Sequence, residues 1–468
     1  MRTLLQLRPA SLSSRPTDAS IGLWLPSLAL VLAPFVSLAC GGDEPAVDRR
    51  PDIVLVTIDT VRADHLDLYG YGRETAPRIA ELGRAGLVFE QAIAQAPWTL
   101  PSMASIHTGL YPSEHGAIGN TTPLAANHPV IAEMLKARGY ETQAVTSHVF
   151  VSSTYGFARG FDNMDESHIP GRTGSSSQIH TELALAAHRA AGDAPLFLWV
   201  HYFDPHYSYL RHREYGFAAD AAGRFDGDIH FVSSVGEELH DASPEELEYI
   251  RSVYDEEIAS TDHWVGELIA GVRGSERTRP TVFVVTADHG EAFLDHGRMA
   301  HGKDVYDEMV RVPLVIGGDI DASLRGRRVK QPVETASIAA TVLELAGIER
   351  HMIPGVSLIS GTLSDSLPRD VYTEGSYAAA PDQRKRSIIH GTWKLILHLD
   401  DDHVELYNRA TDPAEREDLA EDPESQVMRN TLLAALARQR SSATANAPQA
   451  DLSEEERSKL DALGYFGD

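Results

Sequence analysis

The 468-residue chain is 43% hydrophobic and 23% charged, an ordinary globular composition that supports one large buried core rather than a string of small modules. With 41 Lys and Arg against 68 Asp and Glu the formal net charge is −27, which excludes non-specific nucleic-acid binding; an anionic substrate has to be held by a local cluster of metal or basic groups. Cys40 is the one cysteine, so no internal disulfide stabilises the chain.

Arg2, Arg8 and Arg15 precede an apolar run over 21–39 that ends at Cys40, the pattern of a secretory signal over residues 1–40. Ser37-Leu38-Ala39-Cys40 is similar to a bacterial lipoprotein box, which predicts an exported protein, periplasmic or attached to the outer membrane, whose membrane contact is an N-terminal lipid. A plain secretory signal and an uncleaved anchor are the alternative readings. Residues 41–50 are polar, contain Pro45 and read as a tether.

After the tether, Asp52 to Ile58 is a nearly continuous apolar run, as expected of a strand buried on both faces, and it delivers Asp59 at its end. Residues 76–86 read as a helix closing on Gly86, 87–92 as a strand, 129–139 as a helix and 140–146 as a strand. Between them lies 94–116, a strand-to-helix turn that presents hydroxyls beside histidines. Pro97 and Pro101 bar a regular helix before Ser102, and a helix over 102–108 would then turn its free amides toward whatever binds in front of Thr99.

The Gly- and Ser-rich stretch 169–177 reads as a loop, 179–191 as a helix and 195–203 as a very apolar strand ending in Asp204-Pro205-His206. Residues 211–243 lack periodicity and read as an insertion shaping the substrate pocket; 244–272 is a long amphipathic helix. Thr281 to Ala287 is the next buried strand and delivers Asp288-His289-Gly290-Glu291. A short helix and a strand over 306–316 and a helix over 335–347 complete a catalytic region spanning 51–369. From 370 to 440 shorter strands and a helix near 426–439 predict a small antiparallel sheet with a packed helix, and 441–468 reads as a linker and terminal helix.

Strands ending in metal-ligand residues thus bracket Thr99: Asp59, then Asp204 and His206, then Asp288 and His289. An Asp-His pair after a strongly apolar strand is costly to bury without a cation. These residues, with Asp59-Thr-Val-Arg-Ala-Asp64, Tyr69-Gly-Tyr, Thr75-Ala-Pro, Pro97-Trp-Thr-Leu-Pro-Ser102, Thr108-Gly-Leu-Tyr-Pro, Asp288-His-Gly-Glu291, Arg311-Val-Pro-Leu, Leu406-Tyr-Asn and Thr411-Asp-Pro, resemble the sulfatase family of the alkaline phosphatase superfamily. The resemblance implies an α/β fold with a large, mostly parallel central sheet sandwiched by helices, a smaller C-terminal antiparallel sheet plus helix, and a metal-centred hydrolase site.

Family sulfatases carry Cys or Ser, oxidised to formylglycine, followed by any residue, Pro, any residue and Arg. Here those positions are Thr99, Leu100, Pro101, Ser102 and Met103. Threonine cannot give the aldehyde, because its β-carbon already bears a methyl group, so no formylglycine is expected. Thr60 stands where many sulfatases have a second Asp, and no Lys-Trp-His segment follows Tyr140.

The resemblance implies Asp59, Thr99, Asp288 and His289 around one divalent cation (Zn, Mn, Mg or Ca), with Thr99 as a hydroxyl nucleophile activated by the metal. His206 and Lys303 are then substrate-binding, and Asp204, His206 and His301 are the alternative ligands of a second cation. His115 and His296 stand at family-like positions and equally suit supporting imidazoles. Trp98 and Tyr111 read as packing residues. The reading is an exported hydrolase of sulfate, phosphate or phosphonate esters; a phospho-headgroup transferase and a silent lipoprotein binding an anionic glycan are its rivals.

Overall fold

Asp52–Ile58 has no polar face because it is the middle of a sheet, where every one of its residues is buried. The computed structural model describes residues 48–169, 175–230, 239–348, 353–377, 380–439, 449–463 and 465. The leader, the lipoprotein box and most of the tether lie outside the described residues, as do parts of the 169–177 loop, the 211–243 insertion and the 441–449 linker.

In chain order the sheet-forming elements are β1 (Asp52–Ile58), β2 (Leu87–Ile93), β3 (Glu141–Val145), β4 (Asn163–Asp165), β5 (Leu196–Tyr202) and β6 (Thr281–Ala287). A two-residue hairpin, β7 (Ala292–Phe293) and β8 (Met299–Ala300), precedes β9 (Arg311–Gly318), β10 (Arg327–Val329) and β11 (Val333–Glu334). The later strands are β12 (Asp370–Tyr377), β13 (Ala380–His390), β14 (Trp393–His398) and β15 (Val404–Asn408). The helices are α1 (Pro77–Ala85), α2 (Thr99–Thr108), α3 (Pro112–His115), α4 (Ile131–Lys136), α5 (Ser177–Ala190) and α6 (Pro244–Arg273). They continue with α7 (Asp307–Val310), α8 (Ser337–Leu345), α9 (Leu358–Leu363), α10 (Gln426–Arg438) and α11 (Glu454–Ala462).

The large sheet runs β10-β2-β9-β6-β1-β5-β3-β4, with β11 also on β2. Its described pairs are parallel except those of β9 with β2 and β6. β1 is flanked by β5 and β6, both parallel to it, with Ile58 opposite Tyr202 and Ala287. The residues just beyond these strand ends therefore meet, at the place where parallel α/β sheets bind ligands. Four strands, β12-β13-β14-β15, form the antiparallel sheet. Ile388, Leu395, Val404 and Leu406 of that sheet pack with Leu432 and Leu436 of α10 as a separate small core.

One expectation needs correction. α2 begins at Thr99, not after Pro101. Pro101 falls in the first turn, where amides lack intrahelical partners, so its missing N–H costs no helix bond. Gly109, at φ +73°, ends the helix in the left-handed conformation.

α7 and the segment before it are tied to the antiparallel sheet by buried charges. Lys394 Nζ lies 3.0 Å from Asp307 and 2.9 Å from Glu415, Arg409 lies 2.6 Å from Asp307, and Lys385 lies 2.7 Å from Asp304. His296 stacks on Tyr306 and donates from Nε2 to the Glu415 carbonyl, 2.8 Å away. The loop carrying His301 and Lys303 is thereby braced by the second sheet. Among the described residues no helix is long and apolar enough to cross a membrane.

Candidate metal centre

Asp59 follows β1 directly, Asp288 and His289 follow β6, and α2 starts at Thr99, all four fully buried. Backbone bonds from Asp59 N to the Tyr202 carbonyl, 2.8 Å, and from Asp288 N to the Ile58 carbonyl, 3.3 Å, extend the sheet one residue past the strand ends and fix both carboxylates. Gly290 follows directly, where a Cβ would stand 2.1 Å from the Glu308 carbonyl oxygen; only glycine lets the chain pass there.

Neither oxygen of Asp59 has a hydrogen-bond partner, and neither does Asp288 Oδ2. Asp288 Oδ1 accepts from the amides of Thr60, 3.3 Å, and His289, 2.8 Å, which turns the other oxygen inward. His289 Nδ1 faces the Gly290 carbonyl at 2.9 Å, so Nδ1 carries the proton and the Nε2 lone pair points into the site. From Nε2 the distances are 3.3 Å to Thr99 Oγ1, 3.4 Å to Asp59 Oδ1 and 3.4 Å to Asp288 Oδ2. Ser102 Oγ donates to the Asp288 carbonyl at 2.5 Å and fastens the first turn of α2 to this strand end.

Ligand atoms of Asp59, Asp288 and His289 all lie within 4.8 Å of one another. Burial pushes the Asp59 carboxyl up to about 7, and burial together with the Asp59 charge pushes Asp288 up to about 6. Burial opposes protonation of His289, but Asp288 and Asp59 outweigh it and raise its pKa. Buried, converging and unpartnered carboxylate oxygens beside an imidazole lone pair fit a divalent cation, which supplies the missing partner for each.

The second row is histidine-rich. His206 donates from Nδ1 to the Tyr207 carbonyl, 2.8 Å, and its Nε2 lies 3.3 Å from the Tyr465 hydroxyl. His301 faces Glu291 with Nδ1, at 3.2 Å, and the same Tyr465 hydroxyl with Nε2, at 3.3 Å. The rings of His301 and His289 are 4.5 Å apart, and those of His301 and His206 4.9 Å. Burial holds His148, His206 and His301 well below the ordinary imidazole value, which disfavours their charged forms.

Asp204 is placed elsewhere. Its two oxygens accept from Ser175 Oγ, Ser176 N, Ser176 Oγ and Ser177 N at 2.6 to 2.9 Å, at the start of α5. Among the described residues Asp204, His206 and His301 form no three-ligand group. A lone Asp after a strand has acted here as a helix cap. Lys303 is half-buried two residues beyond His301. His115 is buried, with Nε2 3.1 Å from the Pro101 carbonyl and Nδ1 accepting from Ala117 N, and so supports α2. Trp98 packs edge-on to Phe150, and Tyr111 donates to Glu334. Met103, where the resemblance puts Arg in other members, is fully buried in the core.

Three residues here escape a reading of the sequence. His201 on β5 is held through Nδ1 by Thr57 Oγ1, 3.0 Å, and its Nε2, which has no hydrogen-bond partner, lies 3.6 Å from Asp59 Oδ2. The one signal is a histidine interrupting an apolar strand. His148, in the loop after β3, accepts from Phe150 N with Nδ1, leaves Nε2 without a hydrogen-bond partner and sits 5.9 Å from the His206 ring. Tyr465 arrives from beyond α11, with no local sequence signal.

The chain matches the sulfatase family over residues 51–348, more than half its length, and the C-terminal region of N-sulphoglucosamine sulphohydrolase over 294–442. It is 23% identical over 450 residues to the Delta 4,5-hexuronate-2-O-sulfatase of Bacteroides thetaiotaomicron, covering 83% of this chain and 88% of that protein. Identity with the multifunctional alkaline phosphatase superfamily protein PehA of Trinickia caryophylli is 24% over 413 residues, 70% of this chain and 80% of that one. The fold is similar to the phosphonate monoester hydrolase of Agrobacterium radiobacter, with a TM-score of 0.67 at 19% identity over 84% of this chain and 96% of that one. Both sequence and metal-ready site lead to the same place: the chain belongs to the sulfatase family, and it is a hydrolase of the alkaline phosphatase superfamily acting on anionic esters.

Proposed function

We propose that the protein hydrolyses phosphate, phosphonate or sulfate esters through Thr99 beside one divalent cation. The observation that carries this reading is the convergence of the unpartnered oxygens of Asp59 and Asp288 with His289 Nε2 on the Thr99 hydroxyl. A cation held by Asp59, Asp288, His289 and Thr99 would supply Lewis acidity, lowering the pKa of the hydroxyl and offsetting the charge of the ester. Thr99 gives up its proton to solvent as Oγ1 bonds to phosphorus or sulfur, and the ester oxygen leaves with the bonding pair and takes a proton from solvent. Water then cleaves the threonine ester at phosphorus or sulfur, restoring the hydroxyl and releasing the anion. Lys303 takes non-bridging oxygens of the substrate, and His206, whose ring nitrogens are engaged by the Tyr207 carbonyl and the Tyr465 hydroxyl, lines that side of the site. The engagement of Asp204 at α5 favours this one-cation arrangement over a second ion.

A formylglycine ester can collapse to an aldehyde and expel sulfate, whereas a threonine ester has to be cut at phosphorus or sulfur. Purified protein is therefore expected to hold one divalent ion per chain and to turn over p-nitrophenyl phosphate, the bis-phosphate or phenylphosphonate at least about tenfold faster than p-nitrophenyl sulfate. Folded protein that binds no divalent metal, or that leaves all four esters intact, would refute the reading and support the silent binding protein instead.

We also propose export and lipid attachment at Cys40, on the sequence pattern alone. In a bacterial host fed radiolabelled palmitate, the wild-type chain is expected to take up label and Cys40→Ser to lose it. Label retained by the variant, or absent from both, counts against the anchor.

A further inference from the structure

Tyr465 is 2% exposed, although it lies beyond α11 on a segment whose helix is otherwise rich in charge. Its hydroxyl is the atom that links His206 Nε2 and His301 Nε2, at 3.3 Å from each. With the contacts on either side this gives a continuous hydrogen-bonded row, from Glu291 through His301, Tyr465 and His206 to the Tyr207 carbonyl. One end of that row is two residues from the ligand His289, and the His301 ring lies 4.5 Å from the His289 ring.

The segment is held firmly. Leu460 and Leu463 are buried in the main core, and the Tyr465 ring packs edge-on to Phe150 at 4.6 Å. Tyr207 donates to the Leu463 carbonyl at 2.9 Å, Asn120 donates to the Tyr465 carbonyl, and Ala450 N bonds to the Thr121 carbonyl at 2.7 Å. Ser453 and Glu456 form a capping box at the start of α11, and Thr154 donates to Glu456. A plug that leaves when substrate arrives needs few anchors; these describe a permanent wall.

We infer that Tyr465 is a positioning residue of the active site, its hydroxyl fixing the orientation of His206 and His301 beside the ligand His289. This rests on the hydrolase reading above. An imidazole that has lost its partner can rotate, and the wall it forms beside the metal ligand His289 then holds a bound anion less well.

The test is Tyr465→Phe in the full chain, which keeps the ring and removes the hydroxyl. In metal-loaded protein kcat/KM is expected to fall about 10–100-fold, mostly through KM, and the orthovanadate Kd from isothermal titration to rise by at least about tenfold. The melting temperature should stay within about 2 °C of wild type, because ring packing is preserved. Asn120→Ala, which removes the side-chain bond to the Tyr465 carbonyl while leaving the hydroxyl, is expected to change the same quantities in the same direction by a smaller factor. Unchanged KM and vanadate affinity in both variants would make Tyr465 a packing residue and overturn the inference, as would wild-type protein that binds no vanadate. Vanadate titration needs no turnover and so separates the two readings. Loss of affinity in Tyr465→Phe, in a protein that turns over no ester, sinks the hydrolase but keeps the pocket wall. A working hydrolase indifferent to the substitution does the reverse.

Discussion

Thr99→Ala is expected to lower kcat by on the order of 10⁴-fold while leaving the fold and the binding of divalent metal nearly unchanged. The Thr99 side chain contributes one hydroxyl, 3.3 Å from His289 Nε2, whereas the cation would still have Asp59, Asp288 and His289. Thr99→Ser keeps that oxygen and removes only a buried methyl group, so it should remain within about tenfold of wild type. Quenching a reaction during turnover should leave one phosphoryl or sulfuryl group on the α2 peptide, visible by mass spectrometry. Turnover that survives Thr99→Ala with every ester would remove Thr99 from the mechanism and require an attack by water.

Removing the metal should destabilise the protein increasingly as pH rises from about 4 to about 7. In the metal-free protein burial raises the carboxyl pKa of Asp59 from 3.8 to about 7 and of Asp288 from 3.8 to about 6. Between the unfolded and folded values the folded chain binds more protons than the unfolded one, so stability falls as pH rises through that window. For Asp59 the shift corresponds to about 4 kcal/mol at the top of the window, with Asp288 adding less than its own shift because the two carboxyls interact. A divalent cation favours the ionised forms and releases protons on binding, which removes the penalty. Glu257, Asp262, Glu291 and Glu334 are also raised by burial, to between about 7 and about 8. Melting curves with chelator and with Mn²⁺ or Zn²⁺ at several pH values therefore have to be compared as differences. A difference that does not grow between pH 5 and pH 7.5 would mean that these carboxylates do not hold the ion.

The scaffold was legible because its central strands carry their burial in their composition. β1 and β6 are nearly continuous apolar runs, each followed directly by an acidic residue, and such runs suit the middle of a sheet. Parallel order around β1 then brings Asp59 and Asp288 together without further information. What depends on direction within a buried strand is not legible in this way. His201 lies in a strand buried on both faces, so alternation gives no clue that its ring turns toward Asp59. Asp204 shows the converse: a strand-end Asp resembles a ligand, but a serine run distant in sequence has claimed its oxygens. Pro101 was legible as a proline and misleading as a break, since the first helical turn tolerates it.

Tyr465 also sets an order on synthesis. The structure brings Asp59, just after the first strand, near a phenol from beyond α11, so every intervening element has to be made before the two can share one site. Contacts that span so much chain form late in folding, because the loop they close is long. A shortened chain that stops before this segment would still contain every proposed metal ligand, yet have an open pocket. On the proposal above, full substrate affinity is therefore reached only once translation has run through to Tyr465.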